Sequence, residues 1–105
     1  MVIEGKYMRG CGRAHFSSSA HEPYFGCPMM GTFNVRTKIT IGEFAPTIES
    51  EGRRYWRLRI NGEYEAWAFR WDGSKMPGTT WELVSEEPLP NKLRHGSMKI
   101  EVLEI

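Results

Sequence analysis

The sequence predicts a mainly β protein, a small six-stranded barrel with little helix. Several short runs alternate apolar and polar residues at the period of a strand, with glycine, proline and asparagine between them. Two of these runs meet at Asn61-Gly62, the dipeptide favoured in tight hairpin turns. No stretch requires a helix longer than a turn or two, and short strands without helical cover bury their apolar faces by closing into a barrel.

A chain of 105 residues has material for one domain and one modest core. Four Trp and a 40% hydrophobic content argue for a folded chain rather than a disordered one. The net charge of +1 gives no bulk attraction to nucleic acid or an anionic membrane. No run approaches membrane-spanning length, and the opening MVIEGKYMRG lacks the apolar centre of a leader peptide. Cys11 and Cys27 have no metal-ligand spacing and read as free thiols of a reducing cytoplasm.

In chain order, Val2 to Met8 forms a first strand of weak alternation. Arg9-Gly10-Cys11-Gly12-Arg13 follows as a glycine turn flanked by arginines, and Ser17 to Ala20 reads as loop. Pro28-Met29-Met30-Gly31 is a turn leading into Thr32-Phe33-Asn34-Val35. Successive strand side chains alternate faces, so the Thr32 hydroxyl and the Asn34 carbonyl share one. Two neutral oxygens behind a turn suit a hydrated Mg²⁺ carrying nucleotide phosphates. The same pattern also describes a strand with one wet face.

Lys38 to Ile41 continues with β-branched residues, and Gly42 to Gly52 reads as a loop around Pro46. Arg53 to Ile60 and Glu63 to Trp71 form the hairpin across Asn61-Gly62. A two-residue turn there sets Ile60 against Glu63, Leu58 against Glu65 and Trp56 against Trp67, with Phe69 and Trp71 on the same face. That aromatic face reads as core, the alternative being a platform for sugars or bases. Thr79 to Val84 returns as a strand with Trp81 and Leu83 on one side and Thr80, Glu82 and Val84 on the other. Pro88 to Leu93 holds a short helical turn that Gly96 ends. Ser97 to Ile105 is a last strand with Met98, Ile100 and Val102 on one face.

Taken in order, Gly10-Cys11-Gly12, the segment Pro28 to Val35, the Ile60-Asn61-Gly62 turn, Pro77 to Val84 and Leu89 to Val102 resemble the archaeal CTP-dependent riboflavin kinases. Those enzymes are cradle-loop β-barrels, and the chain looks like a shortened, divergent member. The resemblance implies that Thr32 and Asn34 hold Mg²⁺. It also implies that the turn Gly10-Cys11-Gly12 lies against the nucleotide, with Gly31 and, through charge-assisted phosphate bonds, Arg13 as further nucleotide-binding candidates. Glycines suit that role because backbone N–H groups then approach phosphate oxygens closely. Glu82 is implied as the group that orients or deprotonates the ribityl 5′-hydroxyl.

The implied reaction is phosphoryl transfer from CTP to riboflavin, giving FMN and CDP. Such transfer needs positioning and charge neutralisation, with no covalent nucleophile. This fits a chain in which Cys11, Cys27, His15, His21 and His95 form no nucleophile-and-base pattern. Two other functions suit the same barrel. One is a non-catalytic nucleotide- or flavin-binding module, a sensor or sequestering protein. The other is a nucleic-acid binder using Arg53, Arg54, Arg57 and Arg59, whose charge nearby glutamates dilute.

Overall fold

The computed structural model describes residues 1–8, 33–86 and 89–103. Its strands are β1 (Val2–Met8), β2 (Phe33–Arg36), β3 (Ile48–Ser50), β4 (Arg53–Ile60), β5 (Tyr64–Trp71), β6 (Thr80–Val84) and β7 (Ser97–Val102). They form one sheet in the order β3-β4-β5-β6-β2-β1-β7, and every pairing is antiparallel. Pairing of Leu58–Ile60 in β4 with Ile100–Val102 in β7 closes six of the strands into a barrel. The seventh, β3, pairs with the opening residues of β4 and extends the wall. The expected small barrel is therefore the observed one.

Alternation along each strand sends one set of side chains inward. Ile3, Val35, Trp56, Leu58, Ile60, Ala66, Ala68, Trp81, Leu83, Met98 and Ile100 make the barrel core. Space at its centre is tight. A Cβ on Gly5 of β1 would lie 2.4 Å from Val35 Cγ1 and 2.8 Å from Ile100 Cδ1, so the missing side chain lets β1 close against both neighbours.

The hairpin register differs from expectation by one residue. Asn61 and Gly62 have the positive φ (53° and 68°) that the expected turn needs. The ladder nevertheless opens with Ile60 opposite Tyr64, which puts Leu58 against Ala66, Trp56 against Ala68 and Arg57 against Trp67. Glu63 is thus an extra loop residue, its N–H bonded to the Ile60 carbonyl at 3.0 Å. Packing explains the choice. Alanines opposite Trp56 and Leu58 leave room for those large side chains, and a one-residue slip moves Trp67, Phe69 and Trp71 to the outer face.

Between β2 and β4 the chain also departs from expectation. Lys38 to Ile41 does not extend β2. The Thr37 hydroxyl donates to the Ile39 carbonyl at 2.6 Å and accepts from the Ile39 N–H at 3.2 Å, a local bonding that competes with the ladder. A 3-10 turn over Ile41–Glu43 then buries Ile41 at the barrel end. Trp81 Nε1 donates to the Ile39 carbonyl at 3.0 Å and Trp56 Nε1 to the Phe44 carbonyl at 2.8 Å, so both buried indoles anchor this segment. The expected Gly42–Gly52 loop contains β3, and Glu51 (φ 52°) and Gly52 (φ 75°) turn the chain into β4. Near the end, the helical turn is a 3-10 turn over Asn91–Arg94, with Pro90 at its N-cap and Leu93 buried. Gly96, at φ 94°, leads into β7.

Candidate functional site

Antiparallel registers align one residue from each of six neighbouring strands on the outer face. Ile48 opposes Tyr55, Tyr55 opposes Phe69, Phe69 opposes Glu82, Glu82 opposes Asn34, and Asn34 opposes Met8. Directly opposed side chains stand on the same face and within contact distance of one another. The row is apolar at one end: Tyr55 and Phe69 pack with ring centroids 5.3 Å apart, joined by Ile48, Val84 and Trp67 in a second cluster outside the barrel core. Its other end is polar, where Glu82 and Asn34 stand side by side.

Asn34 and Glu82 are chemically unusual for an outer face. Asn34 is only 9% exposed, and among the described residues its Oδ1 has no hydrogen-bond partner. A buried acceptor without a partner costs stability, so its retention points to a role other than folding. Glu82 is partly buried. Loss of solvation pushes its carboxyl pKa above the ordinary range, while the positive charge of Arg70 opposes that rise. Strand β2 lies between β1 and β6 with residue-for-residue partners on both sides, which fixes where Asn34 sits relative to Glu82. An uncommitted carbonyl oxygen beside a partly desolvated carboxylate can ligate a hard cation, accept a hydroxyl proton, or both.

Of the residues singled out in the sequence, Asn34 and Glu82 are brought together. Gly10, Cys11, Gly12, Arg13, Gly31 and Thr32 lie outside the described residues. Within the described set no group of three or more His, Cys, Asp or Glu side chains converges, and the oxygens that stand together are Asn34 Oδ1 and the Glu82 carboxylate. One amide oxygen beside one carboxylate is a donor set compatible with Mg²⁺, which keeps several of its waters and takes few protein ligands. No helix among the described residues is long and apolar enough to cross a membrane.

The arginines of β4 do not form a common basic surface. Arg57 pairs with Glu65 at 3.4 Å and Arg59 with Glu101 at 3.7 Å, while Arg54 points to the opposite face and stacks on Trp56. A groove of about 430 Å³ beside them is lined by Arg59, Glu63, Tyr64, Glu65, Trp67, Glu86 and Leu89. Three carboxylates in that lining make it a poor seat for a polyanion.

The row's aromatic half is absent from the sequence reading, because the expected register turned Phe69 and Trp71 inward. The signal that would have found it is the spacing Ala66-x-Ala68. Small residues at alternate positions opposite Trp56 and Leu58 mark the inner face of β5, and so leave Trp67, Phe69 and Trp71 outside. The sequence matches no family model and no curated protein.

Proposed function

We propose that the protein is a small phosphotransferase of the CTP-dependent riboflavin kinase type, working on the outer face of the barrel along the Asn34–Glu82 row. The observation that supports this most is the pairing itself. A buried amide oxygen that none of the described residues satisfies lies directly opposite a carboxylate of raised pKa, at the end of an aromatic row.

In this reading Glu82 accepts the proton of the ribityl 5′-hydroxyl as that oxygen bonds to the γ-phosphorus of CTP. The bond from that phosphorus to the bridging oxygen breaks, leaving CDP and FMN, and Glu82 then returns its proton to solvent. A carboxylate whose pKa is raised by burial is a stronger base than a solvated one, which suits it to a hydroxyl. Asn34 Oδ1, with Thr32 two residues before it, would hold Mg²⁺, and a bound Mg²⁺ neutralises phosphate charge. The buried Tyr55 ring, packed on Phe69, closes the apolar end of the row beside the acid and lowers its exposure to water.

The test is incubation of the purified protein with riboflavin, Mg²⁺ and either CTP or ATP, followed by chromatography for FMN. FMN should form with CTP and disappear in Glu82→Gln. A folded protein that forms no FMN with either nucleotide refutes the kinase reading. Thermal stabilisation by riboflavin or CTP without product would identify a binding module on the same barrel.

A further inference from the structure

The barrel end holds a second arrangement, on the face opposite the Asn34–Glu82 row. Arg54 in β4 and Arg70 in β5 are directly opposed across the ladder. They occupy the inward-facing positions that continue the lines of Trp56 and Ala68 to the rim. Like charges directly opposite each other destabilise a sheet. Neither has an ion pair within 4 Å among the described residues, where those pairs are Arg57–Glu65 and Arg59–Glu101, and the Glu82 carboxylate acts on Arg70 only from farther away. Asp72, two positions beyond Arg70, packs against Gly52 instead.

The two guanidinium groups are held differently. Arg70 donates from Nη2 to the Met76 carbonyl and from Nη1 to the Pro77 carbonyl at 3.3 Å, which fixes its direction. Among the described residues three of its five N–H groups stay uncommitted. Arg54 lies with Cζ 5.6 Å from the Trp56 ring centroid, and among the described residues its buried Nε has no hydrogen-bond partner. Trp56 is itself fully buried and tied to the Phe44 carbonyl, so the surface on which Arg54 rests is rigid. An arginine that makes no ion pair, keeps a buried donor unused and faces a second arginine is costly for folding alone.

We propose that Arg54 and Arg70 form a binding site for a doubly charged phosphate group, carried by free phosphate or by a phosphomonoester. Guanidinium groups carried by two directly opposed positions supply N–H donors matched to phosphate oxygens, and a dianion offsets their like charge. The site takes no ligand contact from Asn34 or Glu82, and because Arg70 also acts electrostatically on Glu82 the test is made at Arg54.

The experiment titrates ¹⁵N-labelled protein with inorganic phosphate, and separately with glycerol phosphate, against chloride at matched ionic strength. It follows the Trp56 indole N–H resonance and the Tm. Phosphate should shift the Trp56 resonance saturably and raise Tm, where chloride does neither. Response to inorganic phosphate identifies the free ion as sufficient, and response to glycerol phosphate alone identifies an ester. Arg54→Gln, which disturbs no loop contact, should weaken the response at least tenfold and leave Tm in phosphate-free buffer unchanged or higher. Arg54→Lys should keep a weakened response, because the charge remains and the fork is lost. The proposal is overturned if neither phosphate source acts, if Arg54→Gln responds like the parent, or if Arg54→Gln sharply lowers Tm without phosphate. That last result would make Arg54 a structural residue.

Discussion

Replacing Asn34 with Leu separates what the site costs the fold from what it does. Asn34 sits in the middle of β2, 9% exposed, with an Oδ1 that none of the described residues satisfies. A buried acceptor left without a hydrogen bond costs about 1–3 kcal/mol, and Leu has nearly the same volume without that penalty. Part of the gain is offset because Leu withdraws a polar neighbour from Glu82, the residue directly opposite. The expected net effect is a stabilisation of about 1–2 kcal/mol, which in a domain of this size raises Tm by roughly 4–8 °C per kcal/mol. Urea unfolding should show a higher midpoint with an unchanged slope, since the surface exposed on unfolding is nearly the same. The same variant should lose FMN formation. A destabilisation of more than about 1 kcal/mol would refute the reasoning, because it would mean that the Asn34 amide already contributes to folding through bonds of its own.

Gly5→Ala should destabilise the barrel by about 1–3 kcal/mol, because the new Cβ would sit 2.4 Å from Val35 Cγ1 and 2.8 Å from Ile100 Cδ1. Urea denaturation measures this, and adding Val35→Ala should return part of the loss; a neutral Gly5→Ala would contradict the packing described. Glu82→Gln should exceed the parent in stability at neutral pH, with the difference vanishing below about pH 4. The sign follows from burial, which raises the folded carboxyl pKa: the parent's stability is fully present below the unfolded value and declines as pH rises through the folded one. Turnover in the parent should fall on the acid side at a pH above the ordinary carboxylate range, read from a pH–rate profile; a fall at the ordinary value would remove Glu82 as the base.

Much of this architecture was readable from patterns whose physical cause is local. Alternation placed β1, β6 and β7, and Met98, Ile100, Val102, Trp81 and Leu83 face inward as their spacing requires. The Asn61-Gly62 turn appears where its backbone preference puts it. Failures came where a distant contact overrode a local signal. The hairpin register was decided by the volume of Trp56 and Leu58 against Ala68 and Ala66, which turn chemistry does not encode. Lys38 to Ile41 has strand propensity, yet Thr37 bonds back on Ile39 and the carbonyls of Ile39 and Phe44 are taken by two indoles. Strand β3 is three residues long, too short for any period to show. At the site, Asn34 and Glu82 were each visible in the sequence, but their direct opposition depends on β2 pairing with β6, strands far apart in the chain.

Engagement of Mg²⁺ and nucleotide at Asn34 and Glu82 is tested by an NMR titration of ¹⁵N-labelled protein with CTP and Mg²⁺, following the Asn34 side-chain amide together with backbone amides of β2 and β6. The Asn34 amide should shift only when both are present, along with the backbone amides of Val35, Trp81 and Glu82, and those backbone shifts should vanish in Asn34→Leu. Shifts confined to the Glu63–Glu86 groove, or unchanged in Asn34→Leu, would contradict it.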